Sequence, residues 1–98
     1  MVNEVTLLGH LGQDLELRQT NSGKAVTTLR IAVNGSKNKE AEWFSITVWE
    51  SQAENCVKYL KKGQKVFIRG YLRNKKWVDK DGNERKDIEI NASNVQFL

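Results

Sequence analysis

The sequence predicts an all-β domain: a five-stranded Greek-key barrel with one short α-helix between strands three and four. Three observations predict it. Apolar residues recur with period two in five short segments, one segment from Ser51 to Leu60 has helical periodicity, and the breaks between them are turn-sized. The 98 residues fit one domain, spanning 1–98, and a chain of this length buries only about two-thirds of the surface its unfolded form exposes.

Near the start, Val5 and Leu7 alternate with Thr6 and Leu8, and Gly9 and Gly12 permit the bend that a closing barrel needs. After a turn at Thr20-Asn21-Ser22-Gly23, the second strand runs from Ala25 to Val33, with Leu29, Ile31 and Val33 on one face and Thr28, Arg30 and Ala32 on the other. Polar residues from Gly35 to Glu42 connect it to the third strand, Trp43 to Trp49. There Phe44, Ile46 and Val48 make a core face, and Trp43, Ser45, Thr47 and Trp49 make the other. The two tryptophans stand roughly 20 Å apart at about 3.4 Å per residue.

Ser51 and Glu54 have the spacing of a capping box, and Ala53, Cys56, Val57 and Leu60 follow as one apolar helical stripe. Lys61 and Lys62 suit the negative end of the helix dipole, and Gly63 suits the left-handed residue that ends it. From Val66 period two returns, with Val66, Ile68, Gly70 and Leu72 inward and Phe67, Arg69, Tyr71 and Arg73 outward; Lys75 and Trp77 continue the outer face. Asp79 to Asn83 reads as a hairpin turn whose Asp-Gly pair supplies positive backbone angles, and Ile88, Ile90 and Ala92 line the last strand. Three strands, a helix and two strands is the element order of the OB-fold.

Catalysis needs a constellation that is missing here. One His and one Cys make no zinc cluster, and Cys56 falls on the helix's apolar stripe. Ser22-Gly23-Lys24 resembles the end of a phosphate-binding loop, but Arg18 and Ala25 stand where Gly and Ser or Thr are needed. Asp79-Lys80-Asp81-Gly82 fails as a calcium loop because Ile90 occupies the place of its bidentate Glu. Neither an enzyme nor a cofactor is expected. The lone cysteine, the absence of a signal segment and the short apolar runs point to a reducing compartment and to no membrane role.

The net charge of +4 is unevenly placed: Lys58 to Lys86 holds eleven Lys or Arg against three Asp or Glu, and the rest has five against nine. A basic segment of this kind suits an electrostatic track for a polyanion, although lysine-rich solvated surfaces look the same on charge alone. More telling are Trp43, Trp49 and Trp77, all on polar or basic outer faces despite their large apolar area. Packing at a subunit interface, or under the polar loop before the third strand, would explain one or more of them. All three, with Arg73, Lys75 and Lys76 near Trp77, suit the stacking of unpaired bases beside a tracked backbone.

These residues also carry a family likeness. Asn3-Glu4-Val5-Thr6-Leu7-Leu8-Gly9-His10-Leu11-Gly12-Gln13-Asp14 and Ser22-Gly23-Lys24-Ala25-Val26 resemble the amino-terminal signature of bacterial and organellar single-stranded DNA-binding proteins. The segments Ala53-Glu54-Asn55-Cys56 and Tyr59-Leu60-Lys61-Lys62-Gly63 are similar to the family's helix and exit, and Trp77 to Arg85 is similar to its last hairpin. The resemblance implies stacking by Trp43, Trp49 and Trp77 and phosphate contacts from Arg73, Lys75 and Lys76. Tyr59 matches a position near the bound strand, and Tyr71, Lys62 and Lys37 complete the candidate set.

Four departures qualify the likeness. Lys37 replaces a further stacking tryptophan of many members and the loop after it is shorter, which implies a smaller site. Phe44 stands where a histidine near the subunit interface is usual, and Leu15 replaces a proline. Typical members continue past the equivalent of Leu98 to an acidic tip that recruits replication and repair proteins, so the likeness is to the domain without that tail. It implies a homo-oligomer, a tetramer ahead of a dimer, acting on single-stranded DNA in replication, recombination and repair, in the bacterial cytoplasm or an organelle matrix. A primosome-type OB-fold accessory protein, acting through protein assembly, is the alternative, but its relatives generally lack the three-tryptophan arrangement.

Overall fold

A computed structural model describes residues 1–35 and 40–98. Its elements run β1 (Val5–Leu11), β2 (Arg18–Gln19), β3 (Ala25–Val33), β4 (Glu42–Trp49), α1 (Glu50–Tyr59), β5 (Lys65–Val78) and β6 (Glu84–Phe97). The sheet order is β1-β5-β6-β4-β3-β2, and β1 pairs again with β3, which closes a barrel of five strands. This is the OB-fold. The two-residue β2, hydrogen-bonded to β3 outside the ring, is an addition to the five expected strands.

Closure happens on β1. Val5 to His10 pair with Gly70 to Lys65 of β5, and His10 and Leu11 pair with Ala32 and Ile31 of β3. Gly9 stands at the crossover, where a Cβ would run into the Ala32 carbonyl and the Ile31 side chain, so only a glycine lets the two backbones meet.

Inside the ring, Leu11, Leu29, Ile31, Ile46, Val48, Val66 and Ile68 are buried, as their alternation requires. Helix α1 covers one end with Ala53 and Cys56, and Leu60 follows at its exit. Buried Thr27 donates its hydroxyl to the Glu16 carbonyl at 2.8 Å, which satisfies the polar group that alternation turns inward.

The helix ends differ from expectation. Trp49 is the N-cap, Glu50 takes a positive φ of 55°, and no side chain caps the helix. The chain passes from β4 into α1 without a loop, so Ser51 already lies within the first turn, too far along to cap with Glu54. At the other end Leu60 terminates the helix in an extended conformation. Gly63, at φ 90°, belongs to the next turn, closed by Gln64 N–H donating to the Lys61 carbonyl at 3.1 Å.

Past Gly70, β5 leaves the barrel. β1 contributes no strand pairing beyond Gly70, and β4 pairs with β6 only at Ile46↔Ile90 and Thr47↔Asn91. The remaining length of β5 and β6 is a two-stranded arm. Leu72 and Ile88, expected to face a core, are 42% and 72% exposed because no strand or helix among the described residues covers that side of the ribbon. The Asn3 side chain substitutes for a missing strand, donating to the Leu72 carbonyl (2.6 Å) and accepting from its N–H (2.9 Å). No helix among the described residues is long and apolar enough to cross a membrane.

Candidate nucleic-acid interface

Strand β4 carries the expected outer row Trp43, Ser45, Thr47 and Trp49, opposite Phe44, Ile46 and Val48. At one end Trp43 is 49% exposed. Gly12 leaves room for its six-membered ring, and the Arg30 guanidinium carbon stands 5.5 Å from its centroid, within cation–π range. At the other end Trp49 is half-buried and its indole Nε1–H donates to Asn91 Oδ1 at 2.6 Å.

The arm continues this surface. Thr47 of β4 is paired in parallel with Asn91 of β6, so the outer faces of β4 and the arm form one sheet surface. Antiparallel register then places Tyr71 opposite Asn91, Arg73 opposite Glu89, Lys75 opposite Asp87 and Trp77 opposite Arg85, all on one face. A bulge between Arg69 and Gly70 adds a residue to β6, so β5 keeps its alternation to the tip. Trp77 is 43% exposed, and its indole Nε1–H donates to Asp87 Oδ2 at 2.6 Å. Where arm and barrel meet, Lys24, Trp49, Tyr71, Arg73 and Asn91 line an open cleft of about 620 Å³.

Charge along this face is less one-sided than the linear count implies. Arg73 Nε and Lys75 Nζ lie 4.0 and 3.8 Å from the two oxygens of Glu89, and Arg69 pairs with Glu4 at 2.9 Å. Such half-exposed pairs hold their cations weakly in water and exchange readily for another anion.

The tip is held by Asp79. Its carboxylate accepts from Arg85 Nε (2.9 Å), from Asn83 N–H (2.9 Å) and from Asp81 N–H (3.0 Å), and Gly82 alone supplies the positive φ expected of the Asp-Gly pair. The Arg85 hydrogen bond first, and then the Asn83 N–H, hold the Asp79 carboxyl below the usual carboxylate range. A lowered folded-state pKa means the tip's stabilisation is complete above the ordinary Asp value and is lost as pH falls through the folded one. Protection of the Asp81 and Asn83 amides, taken relative to intrinsic exchange at each pH, is therefore expected to hold at neutral pH and to fall selectively below about pH 4; pH-independent protection would contradict this.

Not every candidate joins the surface. Lys76 shares the opposite side of the arm with Leu72, Asn74 and Val78, because an odd offset from Trp77 turns it away. Tyr59, 56% exposed under the Lys58 ammonium, borders a separate groove with Gln52, Cys56, Val95 and Phe97. Lys62 lies in the turn after α1, its N–H donating to Asp14 Oδ1 at 3.1 Å. Lys37 lies outside the described residues.

Conversely, Arg30, Lys24, Glu89 and Asn91 belong to the surface and were not among the candidates. Alternation already put Arg30 on the outer face of its strand and Glu89 and Asn91 opposite Ile88 and Ile90; only the parallel β4–β6 pairing shows where the last two meet Trp49. Burial pushes the Cys56 thiol up to about 11, so it is an inert packing group. Among the described residues no cluster of His, Cys, Asp and Glu could hold a metal ion.

The chain matches the profile of the Single-strand binding protein family over residues 2–98. Two relatives illustrate the similarity. A "Single-stranded DNA-binding protein" of Deinococcus radiodurans is 40% identical over 104 residues, covering 99% of this chain and 34% of its own. "Single-stranded DNA-binding protein 1" of Chlorobaculum tepidum is 37% identical over 105 residues, covering 99% of this chain and 65% of its own. The chain thus spans less than two-thirds of either relative.

Proposed function

The chain belongs to the single-strand binding protein family, and from that premise we propose that residues 1–98 form one OB-fold domain that binds single-stranded DNA without sequence preference. It acts as a non-catalytic protein that protects unpaired strands in replication, recombination and repair, in the cytoplasm or an organelle matrix. The observation that carries it is the continuous outer face from Trp43 through Trp49 to Trp77. Three indoles on one polar surface, with Arg30, Lys24, Arg73, Tyr71 and Lys75 among them, provide π-faces and cations in alternation. Duplex DNA buries its base faces in its own stack, so such a surface selects single strands. An accessory protein working mainly through protein assembly would leave the three indoles unexplained.

Trp43, Trp49 and Trp77 act as stacking platforms, and Arg73 and Lys75 act on phosphates, with Tyr71 beside Trp49. Lys76, Lys62, Tyr59 and Lys37 would contact a strand only where it wraps beyond this face. Self-association, as a tetramer ahead of a dimer, is supported by the β1 edge from Val5 to Leu8, which pairs with no second strand among the described residues, and by Leu8 exposed beside it.

Tryptophan fluorescence titrated with oligo(dT), and with a duplex of equal length, tests the reading. Emission should be quenched on the single strand, with affinity falling as salt rises through counterion release. Equal affinity for the duplex would sink it.

A further inference from the structure

Resting on that reading, we propose that Asn91 and Glu89 are positioning residues of the binding surface: they orient the Trp49 indole and tie it to the cations of the arm. The connection is unbroken. Trp49 Nε1–H donates to Asn91 Oδ1 at 2.6 Å, and Asn91 Nδ2–H donates to Glu89 Oε1 at 2.9 Å. Glu89 in turn faces Arg73 Nε at 4.0 Å and Lys75 Nζ at 3.8 Å.

The chemistry makes this line directional. An indole N–H can only donate and an ionised carboxylate can only accept, so just one orientation of the carboxamide between them satisfies both. Asn91 is 1% exposed, which leaves it little water as a substitute partner. Three strands are joined by it: Trp49 ends β4, Asn91 and Glu89 are in β6, and Arg73 and Lys75 are in β5. A stacking face is thereby set at a defined position relative to two phosphate-seeking cations before any strand arrives, which lowers the ordering cost of binding. Glu89 also offsets those cations in the free protein and so moderates the salt dependence of binding.

Two variants separate the relay from the charge. Glu89→Gln and Glu89→Ala both remove the carboxylate charge, but only the glutamine retains an acceptor for Asn91 Nδ2–H. In the free protein, exchange of the Trp49 indole N–H, assigned by its loss in Trp49→Phe, should remain slow in Glu89→Gln and quicken in Glu89→Ala. For oligo(dT), Glu89→Gln should bind about threefold to tenfold more tightly than Glu89→Ala, the worth of one hydrogen bond. Both should steepen the logarithmic salt dependence by about 0.7, the single-strand increment for one phosphate contact. Glu89→Asp, which keeps the charge and shortens the reach, provides a second route to the quickened exchange should the alanine variant unfold. Equal indole exchange and equal affinity across the glutamine and alanine variants overturn the relay, and an unchanged salt slope in both overturns the charge-offsetting role. Failure of the parent protein to bind oligo(dT) would instead overturn the single-strand reading, and indole exchange in the free protein would still decide the relay.

Discussion

Replacing Trp77 with alanine is expected to weaken oligo(dT) binding by about 1–3 kcal/mol, roughly fivefold to 150-fold, while moving the melting temperature by no more than about 4 °C. The separation of the two effects comes from where Trp77 sits. It lies on a two-stranded ribbon beyond the barrel, opposite Arg85, with its indole N–H on Asp87 and its ring surface 43% exposed. Truncation removes a stacking face and opens no cavity, and Asp87 regains water on an exposed face. Trp77→Phe keeps a π-face of smaller area and should recover most of the affinity. Trp49 offers no such clean separation, because it is half-buried, stands at the N-cap position of α1 and is tied to Asn91. Unchanged oligo(dT) affinity in Trp77→Ala would reduce this side chain to a cross-strand partner that stiffens the arm.

Gly70→Ala is expected to be the most destabilising single-methyl change, costing about 3 kcal/mol, at the upper end for overpacking, and lowering the melting temperature by roughly 12–24 °C. Gly70 is the last β5 residue paired with β1, directly beside the bulge of β6. A Cβ there would strike the Asn91 carbonyl oxygen, and the Ala92 Cα would lie 3.2 Å away. Those neighbours are backbone atoms, so no rotamer change can relieve the clash. The displaced segment includes Asn91, so the loss of stability should be accompanied by loss of the Trp49 indole protection. A melting temperature within about 4 °C of the parent's would show that the β6 bulge yields more easily than its packing implies.

Much of this was legible in one dimension because period two is a local property. Residues i and i+2 of a strand share a face wherever the strand lies, so Phe44, Ile46 and Val48 could be assigned to a core and Trp43 and Trp49 to its opposite from the residues alone. The apolar stripe of α1 follows from helical geometry in the same way, as does the turn at Thr20 to Gly23, closed by Gly23 N–H on the Thr20 carbonyl at 2.9 Å. Face assignment does not say what covers a face. Leu72 and Ile88 alternate like core residues and are exposed, because coverage depends on where β1 and β4 stop pairing, and that is set by distant parts of the chain. Nor does the linear count of cations say which are offset. Glu89 stands sixteen and fourteen positions from Arg73 and Lys75, and only the β5–β6 register brings its carboxylate between them.

Spacing within short segments was enough to place the five barrel strands, the helix and the outward tryptophans, though not the short β2. That Trp49 meets Asn91, and that no described residue covers the inner face of the arm, could be seen only in the folded chain. Those outcomes depend on pairing register between strands far apart in the chain, where a shift of one residue would reverse every face.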